Sequence, residues 1–393
     1  MAKQICLAGA ILVWTMVALL AAQSSAQPAR ETTSNLYVLM VTSLDPPIEK
    51  LTDAQVKLLN GTPFHGVAIS IFGIYDGGTL PEEAKLLARC AELRKLSKKT
   101  IWPRVYLNRM IGFLPKVSRR KACQNPEYFD RIKGFDLWDE AGARTDFLRL
   151  WRLSLRGAKV LGAPGVVADF ESYNCGGLAN PITLAKETGR SLEDTQAALR
   201  ELGGKLTDII AEEYPEAIAW SLFTELGRTD HYWNKTPSTP PLLALHAYIF
   251  EGMLSRAKER SAPFTLVSGG EDDIGYYNAS RNALRQKIAA KANAFQPWLN
   301  RFSNRLALGG TITVWNDDTK LTGWAREAAG HAPPFKCFAD FKPMLEELFR
   351  AYPYIWLYVP MVTDYNPFDA KTAPALNAKL REVIEASQPR PDR

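Results

Sequence analysis

At 393 residues and 46% hydrophobic content, the chain is too long for a minimal domain and apolar enough to bury a sizeable core. Its formal charge of +6 is a weak basic bias, with Lys and Arg scattered and no block that would mark a nucleic-acid surface. His65, His231, His246 and His331 stand alone, the cysteines are widely spaced, and neither G-x-S-x-G nor G-x-x-x-x-G-K-[ST] occurs, which speaks against a zinc centre, a serine elbow and a phosphate loop.

In chain order, residues 1–26 read first, as a secretory signal. Lys3 supplies the positive end, Ile5 to Ala22 the apolar core, and Ser24-Ser25-Ala26 a small-residue cleavage site before Gln27. The competing reading is an uncleaved anchor, because the apolar stretch is close to the roughly 18 residues of a membrane span. Cleavage removes Lys3 and no acid, so the formal charge falls from +6 to +5. No later segment is apolar for long enough to cross a bilayer, and residues 27–393 are expected as one soluble unit, secreted or periplasmic. Cys90, Cys123, Cys175 and Cys337 remain after cleavage, which permits two disulfides in three connectivities or, equally, buried free thiols. N-x-S/T triplets at Asn60, Asn234 and Asn278 would matter only in a eukaryotic secretory route.

Beyond the signal, short β-rich runs alternate with helical patterns. Strands are predicted near 36–42, 66–72, 101–107, 165–171, 217–223, 264–268, 311–315 and 354–360. Helices are predicted near 54–59, 81–96, 146–161, 192–213, 242–259, 279–305, 338–351 and 373–386. Ser191 to Asp194 resembles a capping box, and Pro81 with Glu82 and Glu83 suits a helix first turn. Eight βα units predict an α/β fold, the (β/α)8 barrel with long βα loops, the extra length falling after the third, fourth, fifth and seventh strands. An open doubly wound sheet is the rival, but no G-x-G-x-x-G turn follows an early strand.

The fourth strand carries the sharpest signal. Gly165-Val166-Val167-Ala168-Asp169-Phe170-Glu171 is an apolar run ending in two carboxylates one residue apart. Side chains alternate along a strand, so both acids project to one side with Cα atoms about 6.6 Å apart. Like charges that close push one pKa up and leave a proton donor beside a carboxylate, the chemistry of glycosidic bond cleavage. Further acids follow other predicted strand ends: Glu225 after the fifth, Glu271, Asp272 and Asp273 after the sixth, Asp317 and Asp318 after the seventh, Asp364 after the eighth. Any one of these alone is more commonly a solvated loop acid or a helix cap. Tyr173, Trp233, Tyr276, Tyr277, Trp315 and Trp356 lie near the same ends and could stack on sugar rings, although each alone more often packs a core. Asn108 and Arg109 could bind substrate hydroxyls. The structural alternative for Asp169 and Glu171 is an ion-paired network with Arg104 or Arg109.

Gly165-x-x-x-Asp169-x-Glu171 resembles the fourth-strand signature D-G-x-D-x-D-x-E of chitinase-type barrels and the D-x-E of barrel-shaped lysozymes. The resemblance spans seven residues. Pro164 and Val167 stand where the chitinase pattern has Asp, and no S-x-G-G marks the third strand. It implies that Glu171 protonates the glycosidic oxygen, while Asp169 orients the substrate acetamido group or stabilises a charged intermediate. The departures weigh against the acetamido-assisted route. The expectation is therefore a secreted glycoside hydrolase of a poly- or oligosaccharide, using no cofactor or metal. Glu171 would be its general acid and Asp169 the partner, with Asp317 or Glu225 as partner from another strand. A carbohydrate-binding barrel without turnover is the second expectation, and a carboxylate hydrolase using a divalent ion the third. Oligomeric state and linkage are not legible.

Overall fold

The computed structural model describes residues 36–42, 45–71, 80–106, 138, 143–170, 185, 188–227, 245–276, 278, 280–313, 338–359, 366–371 and 373–388. The chain divides into two units, Met1–Leu36 and Tyr37–Arg393, and Leu36 alone represents the first among the described residues. In the second unit, strands and helices alternate as β1 (Tyr37–Thr42), α1 (Asp53–Asn60), β2 (Gly66–Ser70), α2 (Glu83–Leu96), β3 (Thr100–Tyr106), α3 (Ala143–Leu161), β4 (Gly165–Asp169), α4 (Leu192–Glu213), β5 (Ile218–Ser221), α5 (Leu245–Glu259), β6 (Thr265–Ser268), α6 (Arg281–Phe302), β7 (Leu306–Thr313), α7 (Phe338–Ala351), β8 (Tyr354–Val359) and α8 (Ala373–Ser387). Every strand pairs in parallel with its sequence neighbour. β8 closes onto β1 from Tyr37↔Tyr354 to Thr42↔Val359, which makes the (β/α)8 barrel that the sequence rhythm predicts.

Local chemistry starts these helices where the sequence says. Thr52 and Gln55 form a reciprocal capping box on α1, and the Ser191 hydroxyl accepts from the Asp194 amide at 3.0 Å to cap α4. Strand alternation then fills the barrel. Leu39, Val41, Ala68, Trp102, Val167, Trp220, Val267 and Trp356 belong to one buried cluster. Tyr37 stacks on Tyr354 at 5.7 Å, and Trp102 meets Tyr37 and Trp220 edge-on at 6.1 and 5.7 Å. Each such aromatic pair adds about 0.5–1.5 kcal/mol beyond the area it buries.

Several strand boundaries differ from expectation, and two of them are informative. β4 ends at Asp169 rather than at residue 171, and β7 begins at Leu306 rather than at residue 311. The second difference has a steric cause. Glycines weaken a strand on paper, so Gly309 and Gly310 read as part of a connection. In the barrel a Cβ on Gly309 would lie 2.8 Å from the Tyr354 carbonyl, and one on Gly310 would lie 2.7 Å from the Tyr352 ring. Gly165 is subject to the same demand, since its Cβ would sit 1.9 Å from the Ile218 carbonyl. Helices α4 and α5 also meet backbone to backbone. A Cβ on Gly203 would fall 1.9 Å from the Ile249 carbonyl, and one on Gly252 would fall 2.1 Å from the Arg200 carbonyl.

Cys90 is a free, buried thiol on α2, pushed up to about 12 by burial and by the charge of Glu49. That removes the reading in which all four remaining cysteines pair. Cys123, Cys175 and Cys337 lie outside the described residues. Asn278 is buried, with its amide donating to the Gly275 carbonyl at 3.2 Å, so it is no glycan acceptor in the folded chain.

Candidate functional site at the carboxyl ends of the strands

Two polar groupings occupy the carboxyl ends of the strands, the face where this fold carries its chemistry. The first spans β1 to β4. Val167 packs inside the barrel, and Asp169, two residues on, shares its face and is 3% exposed at the last position of β4. Its register partner on β3 is Tyr106. Two residues before Tyr106, the Arg104 guanidinium enters the same region. Its Nη2 reaches Asp45 Oδ1 at 2.5 Å and the Thr42 carbonyl at 2.8 Å. The other Asp45 oxygen accepts from both the amide and the hydroxyl of Ser70, each at 2.6 Å. Arg104 also lies over the Tyr106 ring at 4.8 Å. Burial pushes the Tyr106 phenol well above its usual range; the Arg104 charge opposes this, and the charges of Asp45 and Asp169 add to it. Tyr106 is thus a neutral hydroxyl beside Asp169.

The second grouping follows β5 and β6 and is backed by α6. Glu225, 1% exposed, adopts a φ of 50°, a left-handed conformation that costs a non-glycine residue roughly 1–2 kcal/mol. Its amide donates to Asp272 Oδ2 at 2.5 Å, which holds the residue there. Asp273, next in sequence, pairs with Lys291 Nζ at 3.0 Å. The Lys291 ammonium also donates to the Ser268 and Gly309 carbonyls, each at 3.0 Å. Asp272 is pushed up to about 7 by burial first; repulsion from Asp273 and Glu225 adds to the rise, and Lys291 opposes it.

Between the groupings, Tyr276 packs against the barrel cluster. It stacks on Tyr358 at 4.6 Å and meets Trp356 edge-on at 5.5 Å. The Thr313 amide donates to its carbonyl at 3.1 Å.

Of the residues singled out in the sequence, Asp169, Glu225, Tyr276 and Trp356 fall within the described part. Glu171, Asp317, Tyr173, Asn108, Arg109 and Trp315 lie outside it. Asp169 stands in register with Tyr106 on β3, and the Glu225 amide donates to Asp272 in the turn after β6. Trp356 departs from its expected role on a sugar-binding platform. It is 1% exposed within the core cluster, with its indole N–H donating to the Gly269 carbonyl at 2.9 Å, so packing accounts for it. Arg104 is engaged by Asp45, which follows β1 and stands apart from the acids at the later strand ends. Lys291 was also missed, although spacing could have found it: Leu284, Lys291, Phe295 and Phe302 are the buried positions of α6 and recur at helical intervals. Among the described residues, no group of three or more His, Cys, Asp or Glu side chains is arranged to hold a metal ion.

No family model matches the sequence, and no curated protein matches it. Solved structures resemble it as barrels. The family 113 β-mannanase of Alicyclobacillus acidocaldarius is 12% identical over 90% of this chain and 99% of its own, with a TM-score of 0.41. A family 5 glycoside hydrolase of Prevotella bryantii is 10% identical over 89% and 96%, at 0.43. Endonuclease IV of Thermus thermophilus is 10% identical over 89% and 99%, at 0.44. At such values they carry nothing about activity, and the barrel rests on its own strand order.

Proposed function

We propose that this barrel hydrolyses glycosidic bonds of a poly- or oligosaccharide at the carboxyl ends of its strands. Glu171 would donate the proton to the leaving oxygen, and Asp169 would be the charged partner that stabilises positive charge developing on the sugar. The single observation behind the proposal is the position of Asp169, buried and inward-facing at the end of β4, beside the neutral Tyr106 hydroxyl. Tyr276 and Tyr358 supply aromatic surface within the same barrel end. Glu225 is the alternative partner carboxylate, held by Asp272. The separation between the two working carboxyls would set the stereochemistry, about 5–5.5 Å for retention and about 6.5–9.5 Å for inversion. Export fits such a substrate, with residues 1–26 acting as the signal; amino-terminal sequencing of the mature protein tests that step.

The test of turnover counts reducing ends released from a panel of polysaccharides and cell-wall glycans. The wild type is expected to release them, and Asp169→Asn and Glu171→Gln to lose roughly 10²–10⁴-fold in rate. Binding without release by the wild type would instead favour a carbohydrate-binding barrel. Full activity in Asp169→Asn would remove the proposal's central residue.

A further inference from the structure

Helix α6 is 22 residues long and carries five basic side chains and no acid. Three of the five are engaged locally. Lys291 pairs with Asp273, Lys287 donates to the Ile274 carbonyl at 2.9 Å, and Arg301 pairs with Glu251 at 3.1 Å. The other two, Arg281 and Arg285, lie one helical turn apart on one face. Opposite them, α7 supplies Arg350, and all three guanidiniums converge on a single oxygen of Glu347. Arg281 Nε reaches it at 2.6 Å, Arg285 Nη2 at 2.8 Å and Arg350 Nη1 at 2.8 Å. One guanidinium would suffice to tie the two helices through this carboxylate, so the cluster carries more positive charge than packing requires. The hydrogen bond from Arg285 holds the Glu347 carboxyl down at about 2, with Arg281 adding to the effect and burial opposing it, so the carboxylate keeps the three groups together at neutral pH.

Glu347 is 10% exposed, whereas the three arginine side chains are 40–56% exposed, so the carboxylate is a buried pin and the guanidiniums form the outer surface. Along α7, exposed Lys342 and half-buried Glu346 precede Arg350 at four-residue intervals, and Glu346 lies 3.6 Å from Arg350. Among the described residues, four cations therefore stand against two carboxylates at this edge of the helical belt. Guanidiniums already hold one carboxylate here, and their planar donor forks suit further ones. A bilayer fits less well, because Leu96 on the distant sequence segment α2 is the one large hydrophobic side chain exposed among the described residues, and no apolar group accompanies the charges. The patch is also too short for the long basic stripe that tracks a nucleic-acid backbone. We propose that Arg281, Arg285 and Arg350 form a docking surface for the carboxylate groups of an acidic polysaccharide. Acid groups repeated along such a chain would engage several guanidiniums at once. Docking on the outer helices needs no bond cleavage, so the inference stands whether or not the barrel cleaves the glycan that it holds.

The experiment measures binding of the full chain to polygalacturonate by calorimetry at low ionic strength, beside neutral dextran, duplex DNA and phosphatidylglycerol vesicles. The wild type should bind polygalacturonate and not dextran, with affinity falling as salt is added. The double variant Arg285→Gln, Arg350→Gln should bind about fivefold more weakly or worse. Both side chains are more than half exposed and Arg281 still holds Glu347, so the fold should persist. The matched control is Arg256→Gln, Arg260→Gln, which removes the same charge beside Asp208 on another part of the belt and should leave affinity unchanged. Absence of wild-type binding would overturn the proposal. Equal weakening in the two double variants would reduce the effect to net charge and overturn it as well. Tighter binding of DNA or vesicles through Arg285 and Arg350 would overturn it in favour of that partner.

Discussion

The two ends of this barrel's polar rim bury charge in different surroundings. Between β1 and β4, Arg104 pairs with Asp45, the Ser70 amide and hydroxyl cover the other Asp45 oxygen, and buried Asp169 lies on the same rim in register with Tyr106. Behind β5 and β6, Lys291 pairs with Asp273 and donates to two carbonyls, while the buried Asp272 carboxyl accepts from the Glu225 amide. The difference separates scaffold from responsive part. A bonded ion pair loses most when one partner is removed, whereas a buried carboxyl raised to about 7 responds to the proton concentration near neutrality.

The largest effect should come from Lys291→Met, which strands buried Asp273 and two carbonyls. A loss of about 4 kcal/mol is expected in denaturant unfolding at pH 8, shrinking by at least half at pH 5, where protons replace the missing cation. Arg104→Met should cost about 3 kcal/mol at pH 8 for the same reason at Asp45, with the same relief at pH 5. If neither loss shrank at pH 5, a stranded carboxylate would not be its cause. Asp272 gives the next effect. Its folded pKa lies above its unfolded value, so its contribution is complete below about pH 4 and is lost as pH rises through about 7, at up to about 1.4 kcal/mol per unit. Asp272→Asn should flatten that slope. Tyr276→Leu, which removes the stack on Tyr358 without touching a charge, should cost about 1 kcal/mol with no pH dependence, as read from thermal unfolding.

Much of the fold was legible because strand and helix periods are local. The two-residue alternation of Gly165, Val167 and Asp169 gave the inward face of β4, and Ser191 and Pro81 marked helix starts near where α4 and α2 begin. β7 was half hidden because the meaning of Gly309 and Gly310 depends on β8 and the residues before it, which approach only in the closed barrel. The site divides in the same way. Asp169 could be found from its own strand. Asp45 could not, because it follows β1 in a segment that reads as loop, and its partner Arg104 is 59 residues away. Lys291 was masked by the many basic residues of α6, which suggest a wet face until the buried positions are counted.

The close approach of α4 and α5 at Gly203 and Gly252 bears on how such a barrel can be taken apart. Helix α4 belongs to the fourth βα unit and α5 to the fifth, so the boundary between equal halves runs through a place where two helix backbones touch with no side chain between them. A gene cut there would produce fragments that each expose a bare glycine seam. Circular permutants opened between β4 and β5 would keep that seam within one chain, and they are the better tool for asking whether the barrel assembles as halves.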